Sequence, residues 1–133
     1  MNKEYFLKVK EFLLELEYTI VNENEEDEII VVEKEEDGIV NLILDVNDPI
    51  LIIEQVLFEV KKDDMEMYKN LLQKNRDIIH GAFALDKEGK RLLFRDTLQL
   101  ENLDLNELEG TLNSLALLLS EYADKIIGYS KLV

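Results

Sequence analysis

Apolar residues recur at helical spacing over residues 2–17, where Phe6, Val9, Leu13 and Leu16 form one stripe flanked by Tyr5 and Phe12. Leu7 and Leu14 widen that stripe beyond a single packing face, which predicts a second surface to cover. The period then changes. "YTIVNENEEDEIIVVEKEED" predicts a strand over about 28–34, with an extended lead-in at 18–22 beside an acidic patch. In "GIVNLILDVNDPILIIEQVLFEV" alternation places Val40, Leu42, Leu44 and Val46 on one face, with Ile39, Asn41, Ile43 and Asp45 on the other. The Asn-Asp-Pro step marks a turn, because Asn and Asp favour turns and proline cannot donate to a ladder. A strand over about 50–60 follows, with Ile52, Val56 and Phe58 on one face and Leu51, Ile53 and Leu57 on the other. Both faces are apolar, as in a central strand covered by helix on one side and by a partner on the other.

"KKDDMEMYKNLLQKNRDII" predicts a second helix, with acids at its start and Lys74 and Arg76 near its end, matching the helix dipole. The third helix lies in "LENLDLNELEGTLNSLALLLSEYADKII", with Asp104 as cap and Glu107 three residues on. Its buried stripe is Leu108, Leu112, Leu115, Leu119, Tyr122 and Ile126. Between these helices "HGAFALDKEGKRLLFRD" is a hairpin, with Asp86 opening a type I turn and Gly89 at its left-handed position. Pairing Asp86 with Lys90 sets Leu85 opposite Arg91, Phe83 opposite Leu93, Ala82 opposite Phe94 and His80 opposite Asp96. The predicted order is α-β-β-β-α-β-β-α, an α+β sandwich in one domain over 1–133. Its antiparallel sheet carries helices on one side.

The histidine at position 80 is the only one in the chain. Beside Asp96 it has the form of a base oriented by a carboxylate, or of an imidazole satisfied structurally at a hairpin end. The first reading needs a nucleophile, yet Ser114, Ser120 and Ser130 sit in or after the last helix and in no strand-to-helix elbow. Paired zinc-ligand spacing is absent, and "ENEEDE" lacks the glycine-centred loop that calcium requires. The five glycines never cluster into a phosphate-binding fingerprint, and there is no cysteine. No catalytic, cofactor or metal residues are therefore assigned, and His80 and Asp96 are taken as a structural pair.

Charge narrows the partners. A formal net charge of −15 and a pI of about 4.4 repel phosphate backbones and anionic lipid, which argues against nucleic acid and membrane. The same charge attracts basic segments of other proteins. No stretch reaches the roughly 18 apolar residues of a membrane helix, and "MNKEYFLKVKEFLLELE" does not read as a signal peptide. A cytoplasmic location is expected.

The segment from Leu71 to Asp124 resembles a known family. Leu71, Leu72 and Asn75 end a helix; Gly81, Phe83, Asp86 and Gly89 build the hairpin; Leu98, Leu100, Leu103 and Asp104 lead into the last helix. With the element order, these residues look like the class I type III secretion chaperones and the related YbjN-like, Tir-chaperone-like (CesT-type) proteins. The resemblance is sharpest over 65–127. It implies a small acidic α+β homodimer without catalytic residues, wrapping an extended segment of a client or effector protein. The candidate dimer or partner surface is Met65, Met67, Tyr68, Leu71 and Leu72 of the second helix, with Phe83, Leu85 and Leu93 of the hairpin. A small-molecule or signalling sensor on the same fold is the alternative function.

Overall fold

The structure is a computed structural model that describes residues 3–133. Helix α1 (Glu4–Glu15) precedes four strands, β1 (Thr19–Asn24), β2 (Ile29–Lys34), β3 (Ile39–Asn47) and β4 (Ile50–Glu59). Helix α2 (Met65–Lys74), strands β5 (Ala82–Leu85) and β6 (Arg91–Gln99), and helices α3 (Leu105–Glu121) and α4 (Ala123–Ser130) complete the chain. The six strands form one antiparallel sheet in the order β1-β2-β3-β4-β6-β5. The α+β class and the antiparallel sheet are as expected, with one more strand and one more helix. The lead-in at 18–22 pairs with β2 from Thr19 onward, with a register shift between Ile20 and Asn22, and becomes edge strand β1. The last helix bends at Tyr122, whose ring lodges beside Phe83 and Tyr129 at centroid distances of 5.8 and 6.5 Å. The expected start of α1 at Asn2 lies outside the described residues.

One core unites the helices with one face of the sheet. Phe6, Val9 and Leu13 of α1 meet Ile30 and Val32 of β2, Leu42 and Leu44 of β3, Leu51 and Ile53 of β4, and Leu108, Leu112 and Leu115 of α3. The caps are sequence-encoded: Asp104 accepts the Glu107 N–H at 2.8 Å, and Asp64 accepts that of Met67 at 2.9 Å. Because Asp64 is the cap, Lys61–Asp64 stay outside α2.

Two bulges correct the alternation. Asn41 adopts a left-handed φ of 50°, so Ile39 is buried while Val40 is 44% exposed, the reverse of the expected faces. The amide of Gln55, itself buried, closes the irregularity by accepting the Val40 N–H at 3.3 Å and donating to Gly38 O at 3.5 Å. In β4 the register shifts between Val56 and Phe58, which moves Phe58 onto the helix side with Leu51 and Ile53.

The hairpin register also differs from the counted one, by a single residue. Phe83 pairs with Phe94, Leu85 with Leu92, Ala84 with Leu93 and Ala82 with Arg95. The cause is the Asp86 carboxylate, which takes the Lys90 N–H at 2.8 Å and the Arg91 N–H at 3.2 Å. Lys90 therefore joins the loop, and the Asp86 N–H closes the ladder on Arg91 O at 3.1 Å. Gly89 keeps the expected left-handed φ of 70°. The shift places Leu93 on the opposite face from Phe83 and Leu85.

Gly81 and Gly89 both have positive φ but differ in surroundings. A Cβ at Gly81 would lie 2.3 Å from Phe94 Cζ, whereas one at Gly89 meets nothing within 4 Å. Gly89→Ala should cost about 1 kcal/mol from backbone strain alone, and Gly81→Ala about 3 kcal/mol because the ring must move as well. Urea midpoints of the two variants measure the difference, and equal midpoints would contradict the tight packing at Gly81.

Candidate protein-binding surfaces

Five of the eight residues proposed for a partner surface meet in one groove. Tyr68, Leu71 and Leu72 of α2 face Phe83 and Leu85 of β5 across an open apolar depression of about 210 Å³, floored by Leu92. Tyr68 is held by its O–H bond to Asp63 at 2.7 Å, and that bond, with desolvation second, raises its pKa to about 12. Asn75 pins the far wall, accepting the Phe83 N–H at 2.7 Å and donating to Phe83 O at 3.3 Å. It thus satisfies the outer edge of β5 in place of another strand. Met67, Leu71 and Phe83 are buried within the chain, whereas Met65 and Leu72 are 74% and 68% exposed. The last two are seven residues apart, on one side of α2. Ile79, seven residues further on and 82% exposed, was not singled out in the sequence, although its spacing continues that of Met65 and Leu72.

His80 and Asp96 both come to α3, each held by its own neighbours. Asp96 accepts Thr111 Oγ1–H at 2.7 Å and the Thr97 N–H at 2.8 Å. The His80 backbone is clasped by Ser114, whose Oγ donates to His80 O at 2.8 Å and accepts its N–H at 3.3 Å. The imidazole lies over Gly110, where a Cβ would stand 3.3 Å from Nε2. Ser114 is thus bound to the main chain of the residue that a catalytic reading would make its base. Beside them runs a second open groove of about 220 Å³ between Ile79 and Leu117. Both grooves are smaller than the roughly 300–1,000 Å³ of ordinary small-molecule sites.

The face of the sheet without helices is a third surface. Ile29, Val31, Ile43, Ile52, Val56 and Leu93 point to it, and none belongs to the helix-side core. Ile43 and Val56 are 38% and 49% exposed, while Leu93 is buried among its strand neighbours. Arg95 and Glu54, paired across β4 and β6, form an ion pair in the middle. Asp45 stands between Ile29 and Ile52. Desolvation first, then Glu54, Asp27 and Glu28, raise its pKa above its ordinary value.

The comparisons with known proteins place this geometry. The family model CesT_Tir_1 matches residues 2–132. The chain belongs to the CesT_Tir_1 family. Among solved structures it is similar to YbjN from E. coli, with a TM-score of 0.68 and 10% identity over 90% of this chain and 92% of that one. It is also similar to a chain of the Yersinia pestis complex of the type III secretion chaperone SycH with a stable fragment of YscM2. There the TM-score is 0.60 and the identity 23%, over 95% and 99% of the two chains. A chain of the ExsC–ExsE complex gives a TM-score of 0.62 at 15% identity, over 99% and 95%. At such identities these likenesses establish the fold. No curated protein matches the chain.

Two substitutions test the local chemistry. Thr111 is fully buried, and Thr111→Val keeps its shape while deleting the bond to Asp96, so it should cost about 2 kcal/mol, read by urea denaturation. Asp45 has a folded pKa above its unfolded value, so its ionised form disfavours the folded state at neutral pH. The penalty lifts as pH falls through the folded value. Asp45→Asn should therefore raise the melting temperature at pH 7, with the gain shrinking as pH drops toward 4. A gain that grows on acidification would contradict this sign.

Proposed function

We propose that the protein is a noncatalytic, chaperone-like binding module, acting as a cytoplasmic homodimer that takes an extended or partly folded segment of a client or effector protein. The observation that carries this reading is the unpaired apolar side of α2 beside the α2–β5 groove. Exposed Met65 and Leu72 on one helix face are a liability in a monomer and the ordinary mark of an interface. Family membership supports it, and SycH with YscM2 and ExsC with ExsE are relatives in fold solved as complexes. The sensor alternative would call for an enclosed cavity, and the grooves described above are open.

Charge favours α2 as the contact between two copies. Between Lys61 and Asp77 five basic residues accompany four acidic ones, against −15 for the whole chain. Two subunits meeting there bring together a nearly neutral stretch, and the remaining repulsion is weakened by salt.

Sedimentation at micromolar concentration should show a dimer that tightens between low and high salt. Leu72→Glu combined with Met65→Glu should give a monomer with an unchanged circular dichroism spectrum. A parent that stays monomeric at both salt concentrations would exclude the homodimer. Cross-linking mass spectrometry in the source cell tests the client, which should attach reproducibly to one of the three apolar surfaces.

A further inference from the structure

We propose that the helix-free face of the sheet is a docking site for a short basic amphipathic segment of the partner protein. Its apolar side chains would lie on Ile43 and Val56, and its Lys or Arg residues would reach Asp45 and Glu54. The proposal rests on the partner-binding reading above and gives the partner's chemistry. Three observations select this occupant.

The first is position. Val31, Ile43, Glu54, Arg95 and Ala82 form one row across five strands, and Val56, Leu93 and Ala84 form a neighbouring row. Ile43 and Val56 stand apart from the core under the helices and stay 38% and 49% exposed, whereas Leu93 is already buried among its strand neighbours. The Asn41 bulge adds to the uncovered apolar surface by leaving Val40 exposed.

The second is charge. On the ladder positions of this face the bases are Arg95, which Glu54 holds, and Arg91, which stands opposite Glu59 at the far end of the ladder from Asp45. Asp45 keeps no basic partner and is crowded by Glu54, Asp27 and Glu28. An arriving cation relieves that crowding, whereas an arriving acid or a neutral chain leaves it in place. A second copy of this chain brings −15 to the same acids.

The third is size. Strands about 4.8 Å apart and same-face residues about 7 Å apart make the patch over β2, β3, β4 and β6 on the order of 300 Å². A standard interface needs about 800 Å² from each partner. The patch is too small for a folded domain or a second subunit, and is the size of one segment of a few residues.

The probe is a fluorescein-labelled 14-residue peptide of alternating Leu and Lys, followed by fluorescence anisotropy against the full chain. The parent should bind it, and binding should weaken with salt. The same peptide with Glu in place of Lys should not bind. Ile43→Ser with Val56→Ser should weaken binding about tenfold through lost apolar contact. Asp45→Asn should weaken it about threefold and flatten the salt dependence. Glu101→Gln with Glu121→Gln removes as many acids as the Ser pair removes apolar groups, outside this face, and should leave the affinity unchanged.

Circular dichroism confirms folding, and Asp45→Asn decides the matter if the double Ser variant does not fold. Equal affinity for parent and open-face variants, or no binding by the parent, would overturn the proposal. The same variants are tested with any client cross-linked to the parent. A client retained by them removes this face while leaving the partner-binding function standing. If the parent has no client, that function falls, and the peptide measurement still decides the face.

Discussion

Strand β4 holds β3 along one side and β6 along the other, and the second of these pairings is the constraint on which the other features rest. It runs from Ile50 opposite Gln99 to Glu59 opposite Arg91, joining chain segments about forty residues apart. Without it the first four strands form a meander on their own, and the 82–99 hairpin has no sheet to join. With it, Phe94 is carried beneath the helices and β5 becomes an edge beside α2. The groove between α2 and β5 is therefore a consequence of a distant pairing and not a property of either element. Because closing such a long loop costs entropy before contacts reward it, the apolar density of β4 on both faces has an evident physical role.

Element types were legible because each carries a strong local cause. Asp104 and Asp64 cap their helices through their own side chains, and Leu42, Leu44 and Val46 alternate as a half-buried strand must. Registers and faces were less legible, because one residue decides them. Asp86 could open either a three-residue or a four-residue loop, and the choice turns on whether its carboxylate or its carbonyl receives the Lys90 amide. Asn41 and the Val56–Phe58 shift act in the same way. Nothing in the alternation announces a bulge, yet each one exchanges core and surface for the residues beyond it. That is why Tyr68, Leu71, Leu72, Phe83 and Leu85 line one groove while Leu93, expected beside them, points to the opposite face. Ile79 was missed because it lies past the helix, where periodic reasoning stops.

The electrostatics follow from the same layout. The acids are spread over loops and strand edges, so most are solvated. Asp45 is an exception, crowded on the sheet, and near the surface a side-chain hydrogen bond with Glu35 raises the Glu33 pKa. The raised pKa of Asp45 means that its charge works against the fold at neutral pH. Asp86 works in the other sense: the Lys90 amide, first among its backbone donors, lowers its pKa and ties a charge to the turn. Charge at Asp86 helps to set a register, and charge at Asp45 is held at a cost to stability.

That cost and the uncovered apolar residues beside it have a common physical origin. A sheet of six strands has two faces, and this chain supplies helices for one. Covering the second would take another helical layer, whereas a chain that recruits its cover from elsewhere can leave apolar side chains ringed by acid. Like acids on two copies of that face repel each other, because each copy presents the same sign. The apolar residues remain available to a segment of the opposite sign. Repulsion between like chains and attraction for a basic one are two results of one arrangement, and both weaken as salt rises. The contact proposed between copies at α2, being apolar and nearly neutral, would move the other way. Ionic strength would therefore separate the two proposed kinds of association on a single molecule.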